Sequence, residues 1–203
     1  MPPAELRELI VEADGGSRGN PGPAGYGAVV LDPVSGEPLA EAAEYIGVAT
    51  NNVAEYKGLV AGLKAARELA PDARIRVRMD SKLVVEQMSG RWKIKHPDMK
   101  PLAAEAARVF PASQVTYEWI PRERNKHADR LANEAMDAGK RGKQWQPTTS
   151  MAALATGARP GSGALDPGRA RVTPRCRPGP SGRARWPVAD RAAVVDRRHD
   201  PGT

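Results

Sequence analysis

The chain has a single cysteine, Cys176, so no intrachain disulfide can form, and a reducing compartment is the simplest reading. No apolar run approaches the roughly 20 residues of a membrane span. Glu5, Arg7 and Glu8 stand where a signal peptide would place its apolar stretch. These absences set the expectation of a soluble cytoplasmic protein, with no membrane association and no obligatory protein partner. No internal repeat is evident. The glycines between Gly15 and Gly27 do not lead straight into a helix at the spacing of a dinucleotide fingerprint, so that reading is discounted.

Composition divides the chain near Gly142. Residues 142–203 hold ten Arg, one Lys, eight Pro and eight Gly, with no Glu, Ile, Phe or Tyr. That is the profile of a disordered segment. The expected organisation is therefore one folded domain, 1–141, and a tail, 142–203. The net charge of +7 suggests nucleic acid, but the domain carries 20 Lys+Arg against 20 Asp+Glu, and the tail supplies the excess. Within the domain, residues 74–100 form a local basic stretch of eight cations against three acids, which a solvated face would also explain.

Along the domain, Leu9–Ala13 reads as a strand ending at Asp14, and the Gly/Asn/Pro-rich segment Gly15–Gly25 as a turn. Tyr26–Leu31 and Pro38–Ile46 read as two further strands of an antiparallel meander. Val53, Tyr56, Val60 and Leu63 recur at helical spacing, Thr50 to Asn52 can cap that helix, and Pro71 lies beyond its end. Arg74–Met79 alternates basic with apolar residues, as a strand with one buried face does. A short helix, Ser81–Met88, and a longer one, Asp98–Val109, precede a strand over Gln114–Ile120 and a last helix over Lys126–Ala138. The order implies an α/β fold: a five-stranded mixed sheet, an antiparallel three-stranded meander plus two parallel strands, flanked by helices.

Four acids, Asp14, Glu55, Asp80 and Asp129, each sit where an expected strand ends or a helix begins. A hard divalent cation such as Mg2+ takes oxygen ligands and leaves positions for water and phosphate. Two such ions, held by a carboxylate cluster, can act on both sides of a phosphodiester. Taken singly, each acid has an ordinary explanation: a turn residue, part of a helix cap, a first-turn acid on a helix dipole.

The four local settings, DGGSRGNPG, TNNVAEY, DSKLVVEQ and NKHADRLANEA, occur in that order over residues 9–139. Together they resemble ribonuclease H of type 1, within the retroviral-integrase-like superfamily. The resemblance implies that Asp14 and Asp80 lie side by side on neighbouring strands, that Glu55 points in from the first helix, and that Asp129 approaches from the last. It implies two Mg2+ ions, with Mn2+ as an alternative, held by these four residues. It further implies that Asn20, Asn51 and Asn52 meet 2′-hydroxyls of the RNA strand, and that Thr50 belongs to a pocket for a DNA-strand phosphate. Amide side chains both donate and accept, as a hydroxyl does, and the 2′-hydroxyl is what separates RNA from DNA. The activity implied is hydrolysis of the RNA strand of an RNA–DNA hybrid, leaving 5′-phosphate and 3′-hydroxyl ends. A non-catalytic hybrid-binding module and a DNA-processing nuclease of the same superfamily are the alternatives.

Two departures stand out. Many family members carry a long histidine-bearing loop before the last helix; here Trp119–Asn125 is too short, and His127 reads as a surface residue of the first helical turn. Arg122, Glu123 or Arg124 are the electrostatic substitutes. A basic helical protrusion found in some relatives is replaced by Gly90–Lys100, where Trp92, Lys93 and Lys95 offer a smaller handle. Some actinobacterial relatives continue into a histidine-phosphatase domain, whose Arg-His-Gly motif is absent, so the tail reads as a frameshifted or truncated remnant, or as an Arg-rich aid to nucleic-acid binding.

Overall fold

Burial on two faces organises the molecule, whose computed structural model describes residues 7–147. These lie within one compact unit, Met1–Pro160. A second unit, Gly161–Thr203, and with it the expected tail beyond residue 147, lies outside the described residues. The elements are β1 (Glu8–Ser17), β2 (Gly22–Leu31), β3 (Pro38–Ala49), α1 (Asn51–Leu69), β4 (Arg74–Met79), α2 (Lys82–Met88), α3 (Met99–Val109), β5 (Val115–Trp119) and α4 (Lys126–Lys140). The strands form one sheet in the order β3-β2-β1-β4-β5. β1 to β3 are antiparallel, and β4 and β5 join in parallel. This is the expected mixed sheet.

Alternation along the strands sends side chains to opposite faces. Leu9, Val11, Ala13, Ile75, Val77 and Met79 pack with α1, α2 and α3 in the larger core. Val29 of β2 faces the other way, onto Leu131 and Ala135 of α4. α4 lies over β1, β2 and β3, and the arginines of β4 remain at least partly exposed. The basic stretch read from the sequence is compensated in part: Arg76 pairs with Glu8, Arg78 with the buried Glu12, and Arg91 with Glu86.

Several boundaries differ from the sequence reading, β3 for one running to Ala49 and not to Ile46. β1 does not stop at Asp14 but runs to Ser17, and β2 begins at Gly22, so the turn shrinks to Arg18–Pro21. Glycine is weak in strands only when nothing favours its missing side chain; here Gly15 and Gly16 pair with Tyr26 and Gly25, and the reason is close helix packing, described below. Packing also continues past residue 141. Trp145 is 9% exposed against Val29, Leu131 and Ala135, and its indole nitrogen donates to Glu134 at 2.9 Å. Gln144 bonds both backbone groups of Tyr45 on the edge strand β3, accepting at 3.1 Å and donating at 3.0 Å. Among the described residues no helix is long and apolar enough to cross a membrane.

Replacing Trp145 by Ala in the full chain should lower stability by about 3 kcal/mol in a urea melt, the cost of emptying a buried aromatic site. A chain ended after Arg141 should melt below one ended after Pro147.

Candidate active site

The parallel register brings the first two acids together. Glu12 on β1 lies opposite Arg78 on β4, so two residues further along both strands Asp14 comes abreast of Asp80. Two glycines then admit the helices. A Cβ on Gly15 would lie 2.2 Å from the carbonyl carbon of Ala54, so β1 passes directly against the first turn of α1, which carries Glu55. Gly27, the cross-strand partner of Asp14, leaves room for α4: a Cβ there would lie 2.4 Å from the Ala128 carbonyl oxygen, one residue before Asp129. Glycine is required at both places because any side chain would hold a helix away.

The result is a cleft of about 310 Å³ lined by residues that include Asp14, Glu55, Asp80 and Asp129. One carboxylate oxygen from each of Asp14, Glu55 and Asp80 lies within 4.8 Å of the others. Asp129 lines the same cleft but is engaged by Arg122, whose Nη2 donates to its Oδ1 at 2.9 Å. Asp14 and Glu55 are buried. Burial, then the charges of Asp80 and Asp129, push the Asp14 carboxyl from 3.8 up to about 7. Burial, then Asp14 and Asp80, raise Glu55 well above its ordinary value, against a hydrogen bond from the Gly15 backbone. Arg122 pulls both downward, and the acids in turn raise the guanidinium's own affinity for its proton.

This donor set fits a hard divalent cation. It offers carboxylate oxygens alone, and Glu55 Oε2 is buried with no hydrogen-bond partner. Carboxylates that resist ionisation beside one another lack positive charge, which a cation supplies.

Asn125 is a functional residue that the sequence reading missed. It is 0% exposed, and its Nδ2 donates both to the Ala13 carbonyl, at 2.9 Å, and to Asp80 Oδ1, at 2.8 Å. One amide thus ties the end of β1 to the acid on β4 and to the start of α4. The one available signal was an Asn four residues before an acid at a helix start, which reads more simply as an N-cap; its side chain caps nothing here. Trp119 adds a second hold, its indole nitrogen donating to the Asp80 carbonyl at 3.1 Å.

The expected substrate-contact residues separate. Asn51 lines the cleft, whereas Asn20, Thr50 and Asn52 do not. Thr50 caps α1, its hydroxyl accepting from Val53 N at 3.3 Å, and Asn20 Oδ1 accepts from Asn51 N at 3.2 Å. Asn52 is exposed. His127 is not a free surface residue: it is half-buried and paired with Glu41 on β3 at 2.5 Å. Trp92 is exposed.

A reverse transcriptase-like family model matches residues 12–135. The bifunctional protein Rv2228c of Mycobacterium tuberculosis is 60% identical over 132 residues, which make up 64% of this chain and 36% of that protein. The chain thus spans little more than a third of the length of that curated relative. The solved N-terminal RNase H domain of Rv2228c is 59% identical with a TM-score of 0.62, over 66% of this chain and 97% of that one. LC11-RNase H1, solved in complex with an RNA/DNA hybrid, is 42% identical with a TM-score of 0.62, over 65% of this chain and 99% of that one. Fold, acid cleft and these likenesses define a hydrolase domain of the ribonuclease H class. The chain belongs to the ribonuclease H type 1 family.

Asp14 and Glu55 make stability depend on pH when divalent cations are removed. Their folded-state affinity for protons exceeds the unfolded value, so the Asp14 contribution is complete below about pH 4 and is lost as pH rises through about 7, and Glu55 acts in the same direction. In EDTA, raising pH from 5 to 8 should cost the protein up to about 2.5 kcal/mol relative to Asp14→Asn. Mg2+ should restore stability at pH 8 and do little at pH 5, as read by thermal melts. Asn125→Ala, which strips a hydrogen bond from Asp80 and from Ala13, should cost about 1–3 kcal/mol and weaken Mn2+ binding measured by titration calorimetry.

Proposed function

We propose that the chain hydrolyses the RNA strand of RNA–DNA hybrids, leaving 5′-phosphate and 3′-hydroxyl ends. The observation that carries this reading is the convergence of Asp14, Glu55 and Asp80 in one cleft, with one carboxylate oxygen of each within 4.8 Å of the others. These three, with Asp129, are the proposed ligands of two Mg2+ ions, for which Mn2+ can substitute. When bound, such ions supply Lewis-acid activation of water and stabilisation of the leaving oxygen.

The remaining work falls to the chain's own side chains. Asn125 holds one oxygen of Asp80, which leaves the other for the cluster. Arg122 holds Asp129 by one oxygen and places a permanent cation beside four acids, in the loop where relatives keep a histidine. Asn51, with its side chain in the cleft, is the proposed reader of the RNA 2′-hydroxyl. Asn20 Oδ1 already accepts from Asn51 N, which orients the amide and leaves its NH2 to donate to a hydroxyl. Thr50 accepts from Val53 N, so its hydroxyl proton stays available for a phosphate oxygen. Asn52, exposed like Asn20, extends the same edge. The proposed location is a reducing compartment, the cytoplasm, with which the single cysteine is consistent.

The test uses the full chain with Mg2+ or Mn2+ and one labelled sequence prepared as RNA–DNA hybrid, duplex RNA, duplex DNA and single-stranded RNA. Metal-dependent cutting of the hybrid alone is expected. Asp80→Asn should abolish turnover with its melting temperature within a few degrees of the parent. Hybrid that binds but is never cut under either metal would instead assign a binding module.

A further inference from the structure

The acid cleft repels the molecule it is proposed to bind. Four carboxylates line it, and a nucleic acid brings more negative charge, so cations at its rim decide how a backbone can approach. The cleft lining contains two, Arg18 and Arg122. Arg122 is committed to Asp129, inside the acid group. Arg18 is paired with Asp137 on α4, Nη2 to Oδ1 at 2.7 Å, and both side chains are close to half-exposed.

An ion pair this open contributes little to folding, and water and salt compete with it readily. The backbone under Arg18 is, by contrast, closely held. Arg18 N donates to the Pro23 carbonyl at 2.8 Å, closing the turn between β1 and β2. A Cβ on Gly22 would lie 2.4 Å from the Arg18 carbonyl oxygen, so the turn is packed against itself. Ser17 reaches across to the Ala49 carbonyl at 2.8 Å, and Asn20 to the first N–H of α1. A long cationic side chain is therefore mounted on a fixed base, next to Asn51. On α4, Asp129, Asn133 and Met136 lie along the cleft, and Asp137 follows at the margin of that stripe.

We propose that Arg18 binds a backbone phosphate of the hybrid, exchanging the Asp137 carboxylate for it on docking. A guanidinium offers two parallel N–H donors to a phosphate as it does to a carboxylate, so one geometry serves both partners. Asp137 keeps the side chain extended along the rim and shields it from casual anions. This assignment rests on the hybrid-cleaving reading, and cleavage of hybrid by the parent chain is the control that separates the two: without it that reading fails, and with it only Arg18 is at issue.

The experiment is steady-state cleavage of hybrid by the full chain over a range of salt. Arg18→Ala should raise KM by about fivefold to tenfold with kcat unchanged, and lower the slope of log KM against log salt by about 0.8, the share of one phosphate contact. Arg18→Lys should fall between, keeping the charge and losing the fork. Asp137→Asn should lower KM, and that gain must vanish in the Arg18→Ala, Asp137→Asn double variant. Hybrids with single neutral methylphosphonate linkages, stepped along either strand, locate the contact: at that linkage the Arg18→Ala penalty disappears. An unchanged KM and salt slope in Arg18→Ala would overturn the proposal. So would a gain from Asp137→Asn that persists without Arg18, or a penalty indifferent to every linkage.

Discussion

Beside Asp14 the backbone of β1 presses so close to α1 that no side chain fits between them, and across the strand pair the same is true of β2 and α4. Gly15 follows Asp14 on β1 and Gly27 is the cross-strand partner of that acid on β2, and through them two helices on opposite faces of the sheet reach one point. Glu55 and Asp129 ride on those helices. The cleft is thus a consequence of backbone approach, and the glycines that permit it weaken local strand propensity, a cost met by the surrounding packing.

Bringing four carboxylates to one place is unfavourable by itself, and the structure offsets this only in part. Asn125 donates to Asp80, the Gly15 amide to Glu55, and Arg122 to Asp129. Each hydrogen bond leaves at least one acid oxygen facing its neighbours. The arrangement stores electrostatic cost where charge of the opposite sign is needed, which is the usual signature of a working site. Elsewhere the domain's charges are matched in ordinary pairs such as Arg78 with Glu12 and Arg76 with Glu8.

Much of this was legible in the residues. The alternation of Arg74–Met79 gave β4 at its observed bounds, and the spacing from Val53 to Leu63 gave α1 together with its Thr50 cap. The acids themselves were legible because each stands at a strand end or a helix start. What was not legible depended on contacts distant in sequence. β1 continues through Gly15 and Gly16 because helices press on it, which local propensity cannot report. Asn125 reaches Ala13 and Asp80 across long stretches of chain. Arg122 and Asp129 are close in sequence, but nothing in Pro121–Asn125 reveals that the turn aims the guanidinium inward. Trp145 falls beyond the point where composition changes, so its burial against α4 was hidden by the Pro- and Gly-rich context that follows.

Gln144 carries a different consequence. β3 is an outer strand of the sheet, and outer strands present unpaired amides and carbonyls on which another chain can template itself. By returning a side-chain amide to both backbone groups of Tyr45, Gln144 occupies that position with a group that cannot be extended into a further strand. The segment that anchors Trp145 therefore also covers one position of this margin, where another chain could otherwise pair.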